Sequence, residues 1–295
     1  MATEPRWSDY DCMLEASLRE DRADDDATTR SLVSGDLRAE GRVVARQQGV
    51  VCGLPLADRL TGWVDSSLDF AECIPDGVDA EEDDTVAVVR GRARAILAAE
   101  RTMLNFLQRL SGTATLASRY VNAVSGTDAR ILDTRKTTPG WRELEKYAVR
   151  CGGADNHRMN LADQVLIKEN HIRCLRKEGE GAPAAVSRAT QQAREGVPEG
   201  MVIEVEVETL EELDAALQAG ADLVLLDNMS AAQVERAADR AAGRRGNEQY
   251  PRVEASGGIT LDNVRDYAEA GADRISIGAL THSAPAMDLS LELEL

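Results

Sequence analysis

The stretch Met201–Met229 reads MVIEVEVETLEELDAALQAGADLVLLDNM, and it decides the fold class. It opens with an alternating apolar run at Met201–Val207, continues with helical periodicity, and closes with a second apolar run at Leu223–Leu226. A strand, a helix and a strand in this order predict a parallel βα unit. The tetrapeptide AGAD at Ala219–Asp222 recurs at Ala270–Asp273, and each glycine is expected to end a helix.

The same rhythm runs through the second half of the chain. Short apolar runs alternate with helical segments at Ile131–Leu132, Val165–Ile167, Met201–Val207, Leu223–Leu226, Val253–Ala255 and Ile275–Ile277. Six strands in this length of chain favour an open, TIM-like α/β barrel over a doubly wound sheet. The sequence has no G-x-G-x-x-G or Walker motif, which also disfavours a Rossmann fold.

The first hundred residues predict a smaller α+β domain, since alternating strands are mixed with helices. We expect helices at Tyr10–Asp21 and Leu54–Thr61, and strands at Arg38–Val44, Gly49–Val51 and Thr85–Ala93. A long helical pattern then runs from Ala95 to about Ser125. We expect Gly112 to interrupt this helix, and the helix to lead into the barrel.

Composition narrows the class of protein. The net charge of −18 argues against a nucleic-acid partner, because a phosphate backbone would be repelled. No apolar run approaches the roughly 20 residues that span a bilayer, and the polar N-terminus does not resemble a signal peptide. We therefore expect a soluble cytoplasmic protein without a membrane partner.

The lysine content and the cysteine pattern bear on the salt concentration in which the protein works and on the state of its thiols. The chain has four lysines among its many acidic residues, and this imbalance favours adaptation to a cytoplasm of high salt over an ordinary acidic protein. The five cysteines are odd in number, widely spaced and without C-x-x-C. They predict buried free thiols rather than a disulfide framework or a zinc site.

Four cations stand near the predicted strand ends of this acidic chain. They are Arg135 and Lys136 after one strand, Arg158 in the run NHR, and Lys168 after another strand. Arginine can donate two parallel N–H hydrogen bonds to a carboxylate, and lysine supplies a point charge. Such a cluster predicts a small polyanionic ligand, for instance a dicarboxylate together with a pyrophosphate. The alternative is a set of surface ion pairs.

Acidic residues accompany these cations. Glu204, Glu206 and Glu208 are two apart and so share one face of a strand, and Asp227 ends the next strand. Glu206 and Asp227 are candidates for holding Mg²⁺ directly, through water or through a substrate, or for meeting ribose hydroxyls. Salt bridges to the nearby cations are the alternative.

Small residues follow the last two strands, where barrels of this kind bind phosphate. Ser256, Gly257 and Gly258 follow one strand and Gly278 follows the other, so that backbone N–H groups are accessible to a phosphate. A turn without a ligand is the alternative. His157 precedes Arg158, and it either donates to a ligand carboxylate or orients its neighbour. His171 is expected to orient Lys168–Asn170.

In their order along the chain, these motifs resemble the quinolinate phosphoribosyltransferase family. The matching segments are ERTMLNFLQRLSGTAT (100–115), ILDTRKTTPGWRELEKYAVRCGGADNHRMNLAD (131–163), VLIKENHI (165–172), EVEVETLEEL (204–213), LVLLDNM (223–229), ASGGIT (255–260) and ISIGALTHS (275–283). The chain departs from the family at Met229, where an aromatic residue is usual, and in a polar insert at Gly243–Tyr250.

The resemblance implies a fold, an assembly and a set of roles. It implies an N-terminal sandwich domain at 1–112, joined by the tail 281–295, a barrel at 113–280, and a homodimer or higher homo-oligomer with shared active sites. Arg101 is then expected to reach the partner's site. The implied roles are quinolinate binding by Arg135, Arg158 and Lys168 with His157 beside them in the substrate site, pyrophosphate binding by Lys136, ribose and Mg²⁺ contacts by Glu206 and Asp227, and 5′-phosphate binding by Ser256, Gly257, Gly258 and Gly278.

The implied reaction converts quinolinate and phosphoribosyl pyrophosphate to nicotinate mononucleotide, CO₂ and pyrophosphate in de novo NAD biosynthesis. Lys136, Lys168, Glu206 and Asp227 are the expected catalytic residues. One rival is an enzyme of the same fold with another acceptor, such as a nicotinate-specific or molybdenum-associated relative. A second rival is a non-catalytic sensor of phosphoribosyl ligands.

Overall fold

The computed structural model describes residues 4–243 and 252–295, so residues 244–250 of the predicted insert lie outside the described residues. Two compact units emerge. The first contains Met1–Ser118, Thr137–Gly153 and Ala279–Leu295, and the second contains Arg119–Lys136 and Ala154–Gly278. The predicted domain limits, 1–112 with 281–295 and 113–280, stay a prediction. Among the described residues, no helix has both the length and the apolar character to cross a bilayer.

The first unit is built on an antiparallel sheet of four strands in the order β12-β1-β5-β3. Its strands are β1 (Arg38–Ala45), β2 (Gly49–Val50), β3 (Asp69–Glu72), β4 (Asp79–Ala80), β5 (Thr85–Arg92) and β12 (Leu289–Glu294). Its helices are α1 (Asp11–Glu20), α2 (Ala27–Leu32), α3 (Leu54–Val64), α5 (Arg142–Cys151), α11 (Ala279–His282) and most of α4 (Ala93–Ala123). Apolar residues of β1, β5, α3 and α4 form its core.

The second unit carries six parallel strands in the order β6-β11-β10-β9-β8-β7. The strands are β6 (Arg130–Leu132), β7 (Val165–Ile167), β8 (Ile203–Val207), β9 (Leu223–Asp227), β10 (Arg252–Ser256) and β11 (Arg274–Ser276). The helices are α6 (Glu169–Leu175), α7 (Ala182–Gly196), α8 (Leu210–Gln218), α9 (Ala231–Ala242) and α10 (Val264–Glu269). The two ends of the strand order, β6 and β7, are not joined, which confirms the predicted open α/β barrel.

The repeated AGAD sequence does more than end two helices. Gly220 and Gly271 have left-handed φ values of 86° and 88°, as helix-ending glycines do. The aspartate that follows then binds the start of a neighbouring strand: Asp222 Oδ2 accepts from the Ile203 N–H, and Asp273 Oδ2 from the Val253 N–H, both at 2.8 Å. The repeat therefore fixes where two strands of the barrel begin.

The structure corrects several sequence-based expectations. Helix α4 runs unbroken through Gly112, so the predicted interruption is wrong. A Cβ on Gly112 would lie 2.0 Å from the Pro285 carbonyl oxygen, so the glycine permits close backbone approach. The thiols of Cys12, Cys73 and Cys174 are exposed rather than buried.

Candidate active site

A cavity of about 320 Å³ lies within the second unit, where the strands of the barrel end. It is lined by Thr134, Arg135, Lys136, His157, Arg158, Leu166, Lys168, Glu206, Leu225, Asp227, Glu254, Ser256 and Ser276. The carboxyl ends of parallel strands meet at one edge, which brings residues distant in sequence together. Eight of the predicted site residues are in this lining. The structure therefore assembles the predicted cation cluster and both predicted carboxylates.

Lys168 and Glu206 form an ion pair in this cavity. Lys168 sits between β7 and α6, and its backbone N–H donates to Nδ1 of His171 at 2.9 Å. This contact confirms that His171 orients the Lys168 turn. The Lys168 side chain is half exposed while that of Glu206 is 15% exposed, so the lysine amine remains accessible from the mouth of the cavity.

Arg158 is nearly buried at the side of the cavity, where Nη1 donates to the Gln164 carbonyl at 3.2 Å. Burial, and then repulsion from Arg135, lowers the pKa of Arg158. Two guanidinium groups that repel each other in a partly buried site are stabilised by an anion between them. The pair therefore has the chemistry of a carboxylate or phosphate site.

Asp133, which follows β6, positions the loop that carries His157. The aspartate is fully buried. Its carboxylate accepts from the Asn156 side-chain amide at 2.6 Å and from the His157 N–H at 2.9 Å. This pair of hydrogen bonds fixes the run Asn156–Arg158 against the strand end.

The three glutamates of the β8 segment differ in depth. Glu204 is fully buried, Glu206 lies at the cavity, and Glu208 follows the strand, where its backbone N–H donates to Glu212. Alternation puts Glu204 and Glu206 on one face, as predicted, but only Glu206 lines the cavity, with Lys168 as its partner. The two acids therefore have separate environments.

A buried network of charges, which sequence reasoning missed, lies beside the cavity. The Nε2 atom of His157 is 2.9 Å from Oε2 of Glu204 and 3.3 Å from Oε1 of Glu254. Arg274 Nε donates to Oε2 of Glu254 at 2.7 Å, and Gln164 donates to Glu204 at 2.7 Å. The sequence did carry one signal of this network, which is the charged residue Glu254 inside the apolar run Val253–Ala255. In the structure, the parallel register places Glu254 beside Arg274 on β11.

The network shifts the pKa values of its members. Burial by itself would lower the pKa of His157. The contacts with Glu204 and Glu254 outweigh burial and raise the pKa to about 9. Burial, and then the charge of Glu254, raises the pKa of Glu204. Burial opposes ionisation of Glu254 as well, yet His157 and Arg274 lower its pKa. These directions describe an ionised Glu254 beside a protonated imidazole.

Comparison with known proteins agrees with this geometry. The quinolinate phosphoribosyl transferase N-terminal domain matches residues 26–111, and the C-terminal domain of the same family matches residues 113–292. The chain belongs to the quinolinate phosphoribosyltransferase family. The resemblance read from the sequence motifs is thereby confirmed.

Individual members of the quinolinate phosphoribosyltransferase family match over most of their length. A nicotinate-nucleotide pyrophosphorylase [carboxylating] of Mycobacterium leprae is 40% identical over 287 residues, covering 95% of each chain. A probable one of Synechocystis is 37% identical over 289 residues, covering 98% of this chain and 94% of the relative. A solved nicotinate-nucleotide pyrophosphorylase of Francisella tularensis superposes with a TM-score of 0.88 at 35% identity, covering 99% and 98% of the two chains.

Four predicted site residues of this family member lie outside the cavity lining. Gly257 and Gly258 follow β10, both with left-handed φ values, and Gly278 follows β11. A Cβ on Gly257 would lie 2.3 Å from Oδ1 of Asn228, so this turn excludes side chains. Arg101 is exposed on α4, beside a cavity of the first unit that Asn105 and Trp141 also line.

Proposed function

We propose that the protein is a quinolinate phosphoribosyltransferase of de novo NAD biosynthesis. It joins quinolinate to phosphoribosyl pyrophosphate and releases nicotinate mononucleotide, CO₂ and pyrophosphate. The observation that carries this proposal is the gathering of Arg135, Lys136, Arg158 and Lys168 in one cavity of a chain that matches the family along nearly its whole length. Both substrates are polyanions, and this cavity concentrates cations in a chain whose net charge is −18.

The cations divide between the two substrates. We assign the quinolinate carboxylates to Arg135, Arg158 and Lys168, with His157 beside them, because the charges of Arg135 and Arg158 repel each other and an anion would relieve that repulsion. Lys136 is assigned to the pyrophosphate. The 5′-phosphate is assigned to Ser256 and to the glycines Gly257, Gly258 and Gly278, where backbone N–H groups follow the last two strands.

The reaction needs charge stabilisation more than covalent catalysis. The bond between ribose C1 and pyrophosphate breaks, C1 gains oxocarbenium character, and the pyridine nitrogen attacks it. Glu206 and Asp227 are positioned in the cavity to stabilise this positive charge. The quaternised ring then accepts the electron pair left when the C2 carboxylate departs as CO₂, and C2 takes a proton. The protein aligns the two substrates and holds the charges.

The oxygen atoms of Glu206 and Asp227 also fit Mg²⁺, which prefers carboxylates and phosphates. Lys168 is paired with Glu206, and Asp227 accepts from the Asn228 side-chain amide at 2.9 Å through Oδ2. This arrangement fits an ion held mainly by the substrate pyrophosphate, with direct or water-mediated help from the protein. When bound, Mg²⁺ would stabilise the charge of the leaving pyrophosphate.

The decisive assay mixes the protein with quinolinate, phosphoribosyl pyrophosphate and Mg²⁺, and measures nicotinate mononucleotide and CO₂. Product should require both substrates and the metal ion. Nicotinate should be a much poorer acceptor, since the cavity carries more cations than one carboxylate needs. Equal turnover of nicotinate would favour the nicotinate-specific alternative. Binding of phosphoribosyl pyrophosphate without turnover would favour the sensor.

We also propose that the enzyme is a homodimer or higher homo-oligomer in which Arg101 acts in the partner's active site. The exposure of Arg101 on α4 and the family match support this assignment. Arg101→Ala and Lys168→Ala should each be nearly inactive. Unfolding and reassembling an equal mixture should restore up to about a quarter of wild-type activity, because half of the dimers are mixed and each has one intact site of two. No recovery from verified mixed dimers would contradict a shared site.

Acidic composition supports one more proposal, that the enzyme works in a cytoplasm of high salt. Screening shortens the reach of surface charge to a few ångströms at molar salt, so substrate capture relies on contacts inside the cavity. Activity measured from low to molar KCl should be highest at high salt. An activity maximum at low salt would contradict this proposal.

A further inference from the structure

Beside the substrate cavity, four charged side chains form what we call the lumen network: His157, Glu204, Glu254 and Arg274. Both glutamates are fully buried, and 7% of the His157 side chain is exposed. The His157 Nε2 atom is within 3.3 Å of both carboxylates, and Arg274 holds the far oxygen of Glu254.

The balance of charge in this network fixes the protonation state of His157. Two buried carboxylates repel each other, and Arg274 neutralises one of them. A neutral imidazole with a lone pair on Nε2 would turn that lone pair toward both glutamates. An Nε2–H group instead donates to Oε2 of Glu204 at 2.9 Å and faces Oε1 of Glu254 at 3.3 Å, and an imidazolium brings the formal charge of the four side chains to zero. The geometry and the balance of charge therefore favour a proton on Nε2 and a second proton on the ring.

Other charged groups surround His157, and they act on its protonation in both directions. Its backbone N–H donates to Asp133, which adds negative charge on the β6 side. Arg158 interacts with Glu204, and Arg135 with Arg158, which adds positive charge on the cavity side. Ser276 hydrogen-bonds Glu254 on the β11 side. Both glutamates lie within ion-pair distance of Nε2.

We propose that Glu204, Glu254 and Arg274 are positioning residues that hold His157 as an imidazolium, and that this buried cation binds a carboxylate of the pyridine dicarboxylate substrate. The inference rests on the proposed function for the identity of that substrate. Nε2 is occupied by the glutamates, so Nδ1 is the ring nitrogen left for a ligand in the cavity that His157 lines. Only the imidazolium carries a proton on both nitrogens.

A purely structural role for the network makes a different prediction. In that case the loss of Glu254 would weaken the fold, but it would leave the acceptor affinity and its pH dependence unchanged in the protein that remains folded. A positioning role changes the protonation of His157 and the KM for quinolinate, while the KM for phosphoribosyl pyrophosphate stays nearly constant. The two roles therefore separate in solution.

The first experiment needs no network variant. Histidine rings labelled with ¹³C are followed by NMR through a pH titration of the wild-type protein. The chain has three histidines, so His171→Gln and His282→Gln assign the His157 signal by elimination. We expect His157 to titrate well above the ordinary value of about 6.5. Titration of His157 at or below that value in the folded protein would overturn the inference, whatever the enzyme assay shows.

The second experiment compares Glu254→Gln with Glu235→Gln, the same change at an exposed position of α9. Glu254→Gln should raise the KM for quinolinate roughly tenfold, as expected when a charge-assisted hydrogen bond is lost. The KM for phosphoribosyl pyrophosphate should stay within about twofold, and loss of quinolinate binding should begin at lower pH than in the wild type. Glu235→Gln should match the wild type throughout.

Each outcome separates the inference from the proposed function. If the wild type turns over quinolinate and folded Glu254→Gln keeps its KM and pH profile, the inference fails and the function stands. If the wild type shows no turnover, the function fails, and the NMR titration still decides the state of His157. Should Glu254→Gln not fold, Glu204→Gln removes the other carboxylate charge beside His157 Nε2. The same rise in the KM for quinolinate is expected of that variant, and an unchanged KM in the folded variant would overturn the inference.

Discussion

Strands β1 and β5 of the first unit and strands β8 and β10 of the second each contain buried residues, but those buried residues differ in chemistry. The buried positions of β1 and β5 are aliphatic or glycine, such as Val43 and Val89. Strand β8 buries Glu204 and strand β10 buries Glu254, each between apolar neighbours. One core excludes charge, and the other contains charges that compensate each other.

The two cores therefore specify the fold by different interactions. An apolar core is stabilised by the removal of surface from water, which depends little on direction. A buried glutamate is tolerated only with its partners in place, and those partners come from other strands and loops. The first unit should therefore respond to lost volume, and the second to lost or altered charge. The following predictions test this contrast.

The largest expected effect is a loss of volume in the first unit. Leu107 of α4 is fully buried in the apolar core. Leu107→Ala should lower the free energy of unfolding by about 2–5 kcal/mol, because it removes buried apolar surface and leaves a cavity. Urea denaturation measures this change. Leu32→Ala, at a residue that is 79% exposed, is the matched control and should change stability little. Equal losses in the two variants would contradict the role of the core.

A loss of charge in the second unit should act on ligand affinity. Arg158→Ala or Arg135→Ala removes a charge-assisted bond of about 1.5–3 kcal/mol, so quinolinate should bind roughly ten- to a hundredfold more weakly. Phosphoribosyl pyrophosphate should be affected far less. Calorimetry with each substrate measures both affinities, and Arg236→Ala on the exposed face of α9 is the control. An equal loss for the two substrates would contradict the assignment to quinolinate.

The barrel strands could be predicted because each is a short apolar run between helical segments. The site could be predicted because the polar residues after those strands meet at one edge, which is how Arg135, Lys168 and Asp227 came together. Both inferences use local sequence and a general property of parallel sheets.

The missed features depend on partners that are distant in sequence. Gly112 has the composition signal of a helix breaker, and its actual neighbour, Pro285, lies far along the chain. Glu254 is inconspicuous in its strand until Arg274 and His157 are placed beside it. Strand β12 lies in the tail that the family resemblance assigns to the N-terminal domain, but no local pattern in Leu289–Glu294 indicates that it pairs with β1. Tertiary contact, rather than propensity, determines these features.

The pH dependence of stability is expected to follow His157. Its pKa rises from 6.5 to about 9 on folding, so its contribution is fully present below pH 6.5 and is lost as the pH rises toward 9. The free energy of unfolding should fall by roughly 1.5 kcal/mol between pH 6.5 and 8, a window below the ordinary cysteine pKa. Urea denaturation at several pH values measures the slope. His171→Gln should keep it, and constant or rising stability across this window would contradict a charged His157.

The smallest effect concerns helix ends, where the two units should behave alike. Thr209 caps α8, with its hydroxyl accepting from the Glu212 N–H at 3.2 Å, and Asp26 caps α2 by accepting from the Thr29 N–H at 2.9 Å. Thr209→Ala should lower the free energy of unfolding by about 1 kcal/mol, because an N–H of the first turn loses its acceptor. Asp26→Ala should lower it too, and Thr28→Ala, at an exposed helical position, should have less effect. A large loss at one cap and none at the other would show that the two units differ in how their helices begin. Similar losses would place the difference in what the strands bury.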